Sequence, residues 1–110
     1  MEENLLSMNH LKKMIESFKQ EILKYNLSIY VFGSYVNEKI YNDIDILVLY
    51  LIKKQDILPF IKFKNRFKSE LEKISGEKID LTILTYEEND ETNFKENEKA
   101  IELISYKYYK

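Results

Sequence analysis

The sequence predicts an α+β fold in one domain over residues 1–110, a small mixed β-sheet of at least three strands flanked by helices. Three observations lead there. Short β-rich runs alternate with segments of helical periodicity along the whole chain. A length of 110 residues suits one hydrophobic core. Apolar residues make up 45% of the chain and aromatics 14%, enough to fill that core.

The elements follow in order. Leu11, Met14, Ile15, Phe18, Ile22 and Tyr25 recur at helical spacing with charged residues between them, which predicts one amphipathic helix ended by Asn26. LSIYVF (27–32) reads as a short strand that stops at Gly33. After a loop from Tyr35 to Asn42 comes DIDILVLYLI (43–52), apolar at nearly every position beyond its two aspartates, as in a strand buried on both faces. Asp56 is the expected N-cap of a second helix with Pro59 in its first turn. Phe60, Phe63, Phe67, Leu71 and Ile74 mark its inner face, and Gly76 is its C-cap. KIDLTIL (78–84) is the third strand. TYEENDETNFKENE is an acidic connector with some helical content, and Ala100, Ile101, Ile104 and Tyr108 predict a last helix.

Composition removes several function classes. The chain has no cysteine, so disulfides, thiolate metal sites and cysteine nucleophiles are excluded, and a metal must sit on oxygens or on His10. His10, at the start of a helix with its own apolar face, is read as a surface residue. The acidic start MEENLLS lacks the pattern of a signal peptide, and no apolar run nears the roughly 20 residues of a membrane span. A soluble, cytoplasmic protein is the expectation. A net charge of −2 gives no general attraction for nucleic acid. Arg66 is the sole arginine among 17 basic residues, so a bidentate phosphate clamp is available at one place at most.

The chemistry concentrates in FGSYVNEKIYNDID (32–45). In a strand Asp43 and Asp45 project from the same side, roughly 7 Å apart. Two like charges at the mouth of an apolar strand repel and lose hydration, a cost that a hard divalent cation relieves and that solvent exposure also avoids. If the strand carrying Asp80 pairs beside this one, a third carboxylate joins them. Three carboxylates can hold two Mg²⁺ ions about 4 Å apart, the clamp of a phosphoryl transfer. Gly33 lets backbone N–H groups approach a phosphate closely, while Ser34 adds a donor and can open a short helix.

A GS pair ending a strand, a polar loop, DxD opening the next strand and a third aspartate on a later one resemble the minimal nucleotidyltransferases of the DNA polymerase β superfamily. The resemblance covers about residues 27–85 and implies a polymerase β-like nucleotidyltransferase fold. It implies transfer of a nucleoside monophosphate from an NTP to a hydroxyl with release of pyrophosphate. It makes Asp43, Asp45 and Asp80 catalytic metal ligands, the first two shared by both Mg²⁺ ions and Asp80 on the nucleophile side as a candidate proton acceptor. Gly33 and Ser34 become the nucleotide-binding cradle. Tyr35, Val36, Asn37 and Glu38 stand where many members carry a small residue, Arg and Gly.

Small members of this family resemble the antitoxin of bacterial pairs whose toxin is a helical HEPN-type ribonuclease. That resemblance implies AMP from ATP as the transferred group, AMPylation, and a HEPN toxin as partner and acceptor. Two alternatives stay open: an idle module that neutralises a partner by contact, and a nucleotidyltransferase acting on a small molecule or an RNA end. Lys39 is a further candidate for phosphate. The tail SYKYYK suits either a stacking surface or an amphipathic helix end. The base, the acceptor and the oligomeric state stay open at this stage.

Overall fold

The computed structural model describes residues 6–38 and 40–105. Ser7 caps the first helix, α1 (Met8–Glu16), by accepting the His10 backbone N–H at 3.1 Å. The single helix expected through Tyr25 is two: α1 and α2 (Lys19–Lys24). The break has a local cause. Ser17 Oγ donates to the Met14 carbonyl at 2.6 Å, and Phe18 leaves helical geometry at φ −95°, ψ 28°. The apolar face survives it, with Leu11, Ile15, Phe18, Ile22 and Tyr25 all buried. Asn26 ends α2 in the left-handed region (φ 55°) and fixes the turn by donating to the Leu51 carbonyl at 2.8 Å.

Strands β1 (Ser28–Phe32) and β2 (Asp43–Tyr50) pair antiparallel, and β3 (Lys78–Thr85) lies parallel to β2. Between β1 and β2 sits one short helix, α3 (Ser34–Asn37), directly after Gly33. The parallel pairing requires a crossover. It is made by a 3-10 turn (Lys54–Asp56) running into the long helix α4 (Ile57–Ser75). Asp56 holds the expected N-cap position but its side chain makes no capping hydrogen bond, because the preceding 3-10 turn already lies in the helical path. Gly76 closes α4 in the left-handed region, as expected. Of the predicted inner face, Phe60, Phe63, Phe67 and Leu71 are buried, whereas Ile74 in the last turn is 61% exposed.

The acidic connector folds into α5 (Tyr86–Thr92) and α6 (Phe94–Asn97). Thr85 and Glu88 cap α5 reciprocally. The predicted last helix is instead a strand, β4 (Ile101–Ile104), antiparallel to β1. Lys99, at φ 53°, turns the chain out of α6. The free edge of β1 then recruits the next β-branched run, whose three-residue spacing had looked helical. Tyr108 and the rest of the SYKYYK tail after Ser105 lie outside the described residues.

The sheet order is β3-β2-β1-β4. One face carries Ile29, Val31, Ile44, Ile46, Val48 and Ile79 against α1, α2 and α4. Phe18, Tyr25, Phe60, Phe63 and Phe67 meet there, Phe18 edge-on to Phe67 with centroids 5.0 Å apart. The other face carries Tyr30, Phe32, Leu47 and Leu49 under Tyr86, Phe94 and Ala100. Alternation puts Asp43, Asp45 and Asp80 on this second face. Among the described residues no helix is long and apolar enough to cross a membrane.

Candidate active site

In the register of the sheet Asp45 stands opposite Asp80 on β3 and opposite Phe32 on β1. The pairing that the sequence left conditional is therefore made, and one oxygen from each of Asp43, Asp45 and Asp80 lies within 4.8 Å of the others. Asp43 and Asp45 are half-buried and Asp80 is exposed, so the cluster opens to solvent on the β3 side.

Asp45 registers the repulsion among these charges. Burial, then the charges of Asp43 and Asp80, push its carboxyl up to about 6, and a hydrogen bond with Asp80 acts in the same direction. Glu98, just after α6, adds to the same field. Glu98 is the residue that sequence reading missed. No spacing links it to the DxD pair; only recognition of 101–104 as a strand returning along β1 would have brought it near. The donor set, hard oxygens under mutual repulsion, fits a divalent cation of the Mg²⁺ kind.

Gly33 is bound to this cluster by shape. Its backbone sits at φ 78°, ψ −154°, a region almost reserved for glycine, and a Cβ built on it would overlap Asp45 Oδ2. The sequence reading gave this glycine one reason, close approach of a phosphate. The structure supplies another, room for the Asp45 carboxylate. Beyond it the Gly33 carbonyl accepts the backbone N–H groups of Val36 and Asn37 and, at 3.1 Å, the Asn37 side-chain amide. Ser34, half-buried, opens α3 as expected. Phe32 packs edge-on to Phe94 at 5.4 Å, and Lys95 Nζ lies 5.4 Å from the Tyr30 ring, so α6 forms an aromatic and cationic wall on this face.

Other candidates lie elsewhere. Arg66 is on α4, across the sheet from the carboxylates, where it donates to Glu21 at 2.7 Å and covers the rings of Phe18 and Phe63. His10 is exposed on α1. Lys39 lies outside the described residues.

The raised carboxyl has a measurable consequence. The folded state holds the Asp45 proton more tightly than the unfolded chain, whose value is near 4. Its contribution to stability is thus fully present below pH 4, falls as pH rises through 6, and stays lost above. Solvent screening reduces the loss to the order of 1 kcal/mol. Urea unfolding from pH 4 to pH 7 in EDTA is expected to show this excess loss in the wild type relative to Asp45→Asn. Parallel curves for the two proteins would contradict it.

A four-stranded mixed sheet with three carboxylates at its β2–β3 junction, beside a glycine-serine turn, defines the class of enzymes that transfer nucleotidyl groups. Residues 9–108 match the family Polymerase beta, Nucleotidyltransferase, and the chain belongs to that family. Among solved structures it is similar to a candidate nucleotidyltransferase from Sulfolobus solfataricus. That likeness has a TM-score of 0.51 at 22% identity, over 76% of this chain and 71% of the other, and it bears on the fold alone. No curated protein matches the chain.

Proposed function

We propose that this protein transfers AMP from ATP to a hydroxyl group of a partner protein, with Mg²⁺ held by Asp43, Asp45 and Asp80. The observation that carries the reading is the convergence of these three carboxylates, with Asp45 pushed up to about 6 by its neighbours. Charge repulsion of that kind is a standing cost to the fold unless cations are bound. Bound Mg²⁺ supplies charge neutralisation at the phosphates and at the attacking and leaving oxygens.

The chain's own residues do the rest. Gly33 and Ser34, at the turn between β1 and α3, hold the triphosphate through backbone N–H groups and the serine hydroxyl. The acceptor oxygen bonds to the α-phosphorus as the bond to the bridging oxygen breaks, and pyrophosphate leaves. The hydroxyl proton passes to Asp80, the carboxylate most open to the acceptor. Phe94 of α6, half-buried over Phe32 beside the cluster, gives a base a ring to stack on.

The resemblance to the antitoxins of HEPN pairs supports a HEPN-type ribonuclease as acceptor. The purified pair with ATP and Mg²⁺ is expected to yield the partner heavier by one or more AMP groups in intact-mass spectrometry. An unchanged partner mass under full neutralisation of its nuclease activity would replace transfer by inhibition through contact.

A further inference from the structure

Strand β3 ends the sheet, so one side of its backbone faces away from β2. The two ends of that outer edge are closed by side chains. Glu72 on α4 accepts the Ile79 N–H at 2.9 Å, and Glu88 accepts the Thr85 N–H at 2.8 Å. Backbone groups alternate in direction along a strand, so the N–H and C=O groups of Leu81 and Ile83 point to the same outer side as those two donors. Facing away from β2, they receive no turn, loop or side-chain hydrogen bond from any described residue. Leu81 and Ile83 also line a groove of about 360 Å³ with Lys64, Asn65 and Lys68 of α4. The groove contains no acidic residue, and neither lysine has an ion-pair partner among the described residues.

Unpaired edges are usually blunted by charge, proline or a bulge. Here both ends are capped and the middle two residues are left open beside two lysines. We propose that this window is a docking site for an extended, acidic segment of a partner protein, added as a short strand along β3. Leu81 and Ile83 would each give one N–H and one C=O to the added strand. Its alternate side chains, two residues apart on the α4 side, would be Asp or Glu reaching Lys64, Lys68 and the Asn65 amide. A second copy of the chain is a poorer occupant, because antiparallel β3 pairing across a two-fold axis sets Lys64 and Lys68 against their own counterparts. The site is independent of the transfer reaction, since it uses none of the three carboxylates. It lies one residue from Asp80 along the strand, which would hold a partner beside the cluster.

The test is a nitrogen-15 amide titration of the full chain with a blocked heptapeptide alternating glutamate and valine, and with its lysine-valine counterpart. The expected result is saturable shifts and slowed hydrogen exchange at Leu81 and Ile83 with the acidic peptide only, weakened at least about tenfold in the Lys64→Glu, Lys68→Glu double variant. That variant changes only α4 side chains at the rim and leaves the carboxylate cluster intact. Equal binding of the basic peptide, or unshifted Leu81 and Ile83 amides at millimolar acidic peptide, would overturn the proposal. So would protection of both amides in the free protein together with a dimer in sedimentation, which would give the edge to a second copy.

Discussion

Asp45→Asn is expected to lower nucleotidyl transfer at least about a hundredfold while making the metal-free protein more stable. Residues that merely support a metal ligand cost ten- to a hundredfold in affinity or activity when removed, so under the proposed function a ligand shared by both cations sets a higher floor. The stability gain comes from the other side of the same geometry. Asp45 faces Asp80 directly across the β2–β3 pair, with Asp43 two residues away and Glu98 adding to the field. An amide removes the charge, keeps the shape and gives Asp80 a hydrogen-bond donor at every pH. Calorimetry with Mg²⁺ and a non-hydrolysable ATP analogue should show cation-dependent nucleotide binding in the wild type and its loss in Asp45→Asn. Urea unfolding in EDTA should show the variant more stable by the order of 1 kcal/mol at pH 7. Transfer at wild-type rate in Asp45→Asn would remove the carboxylate cluster from the mechanism. Loss of activity with loss of stability would mean that Asp45 serves the fold.

The two properties pull against each other at one residue, and this explains how much of the site was legible in sequence. Asp43 and Asp45 could be read because a period of two aims both carboxylates at one point, whatever the rest of the fold does. Asp80 needed the parallel β2–β3 pairing, which the long amphipathic crossover helix makes natural. Glu98 had no such signature. Its position depends on β4, and β4 looked helical because four residues do not distinguish a period of 3.6 from a strand when isoleucines stand three apart. What decides is tertiary: β1 has a free edge, and Lys99 in the left-handed region sends the chain back to it. The break at Ser17 is of the same kind, since a serine hydroxyl competing for the Met14 carbonyl leaves the apolar spacing unchanged. Sequence therefore gave the inward face of the α1–α2 segment correctly and its continuity wrongly.

Gly33→Ala is expected to cost roughly 3 kcal/mol or more and to abolish transfer, whereas Gly76→Ala should cost only about 1 kcal/mol and leave transfer intact. Both glycines have positive φ, 78° and 72°, so a ranking by φ alone would treat them alike. They differ in ψ and in what surrounds them. Gly76 lies in the ordinary left-handed basin at ψ 11°, where an alanine is strained by about 1–2 kcal/mol, and nothing stands within 4 Å of the added methyl. Gly33 lies at ψ −154°, outside that basin, and its methyl would enter the Asp45 carboxylate, with Asp45 Cγ at 3.3 Å and Cβ at 3.6 Å. Asp45 is fixed in a central strand and cannot retreat without leaving Asp43 and Asp80. The strain at Gly33 should therefore be read out at the carboxylates, as lost cation-dependent nucleotide binding, as well as in unfolding. A double variant Gly33→Ala, Asp45→Gly relieves the overlap but not the backbone conformation, so it should recover part of the stability and none of the transfer. Were Gly33→Ala to lose stability yet keep cation-dependent nucleotide binding, the glycine would be a turn residue only, and its closeness to Asp45 incidental.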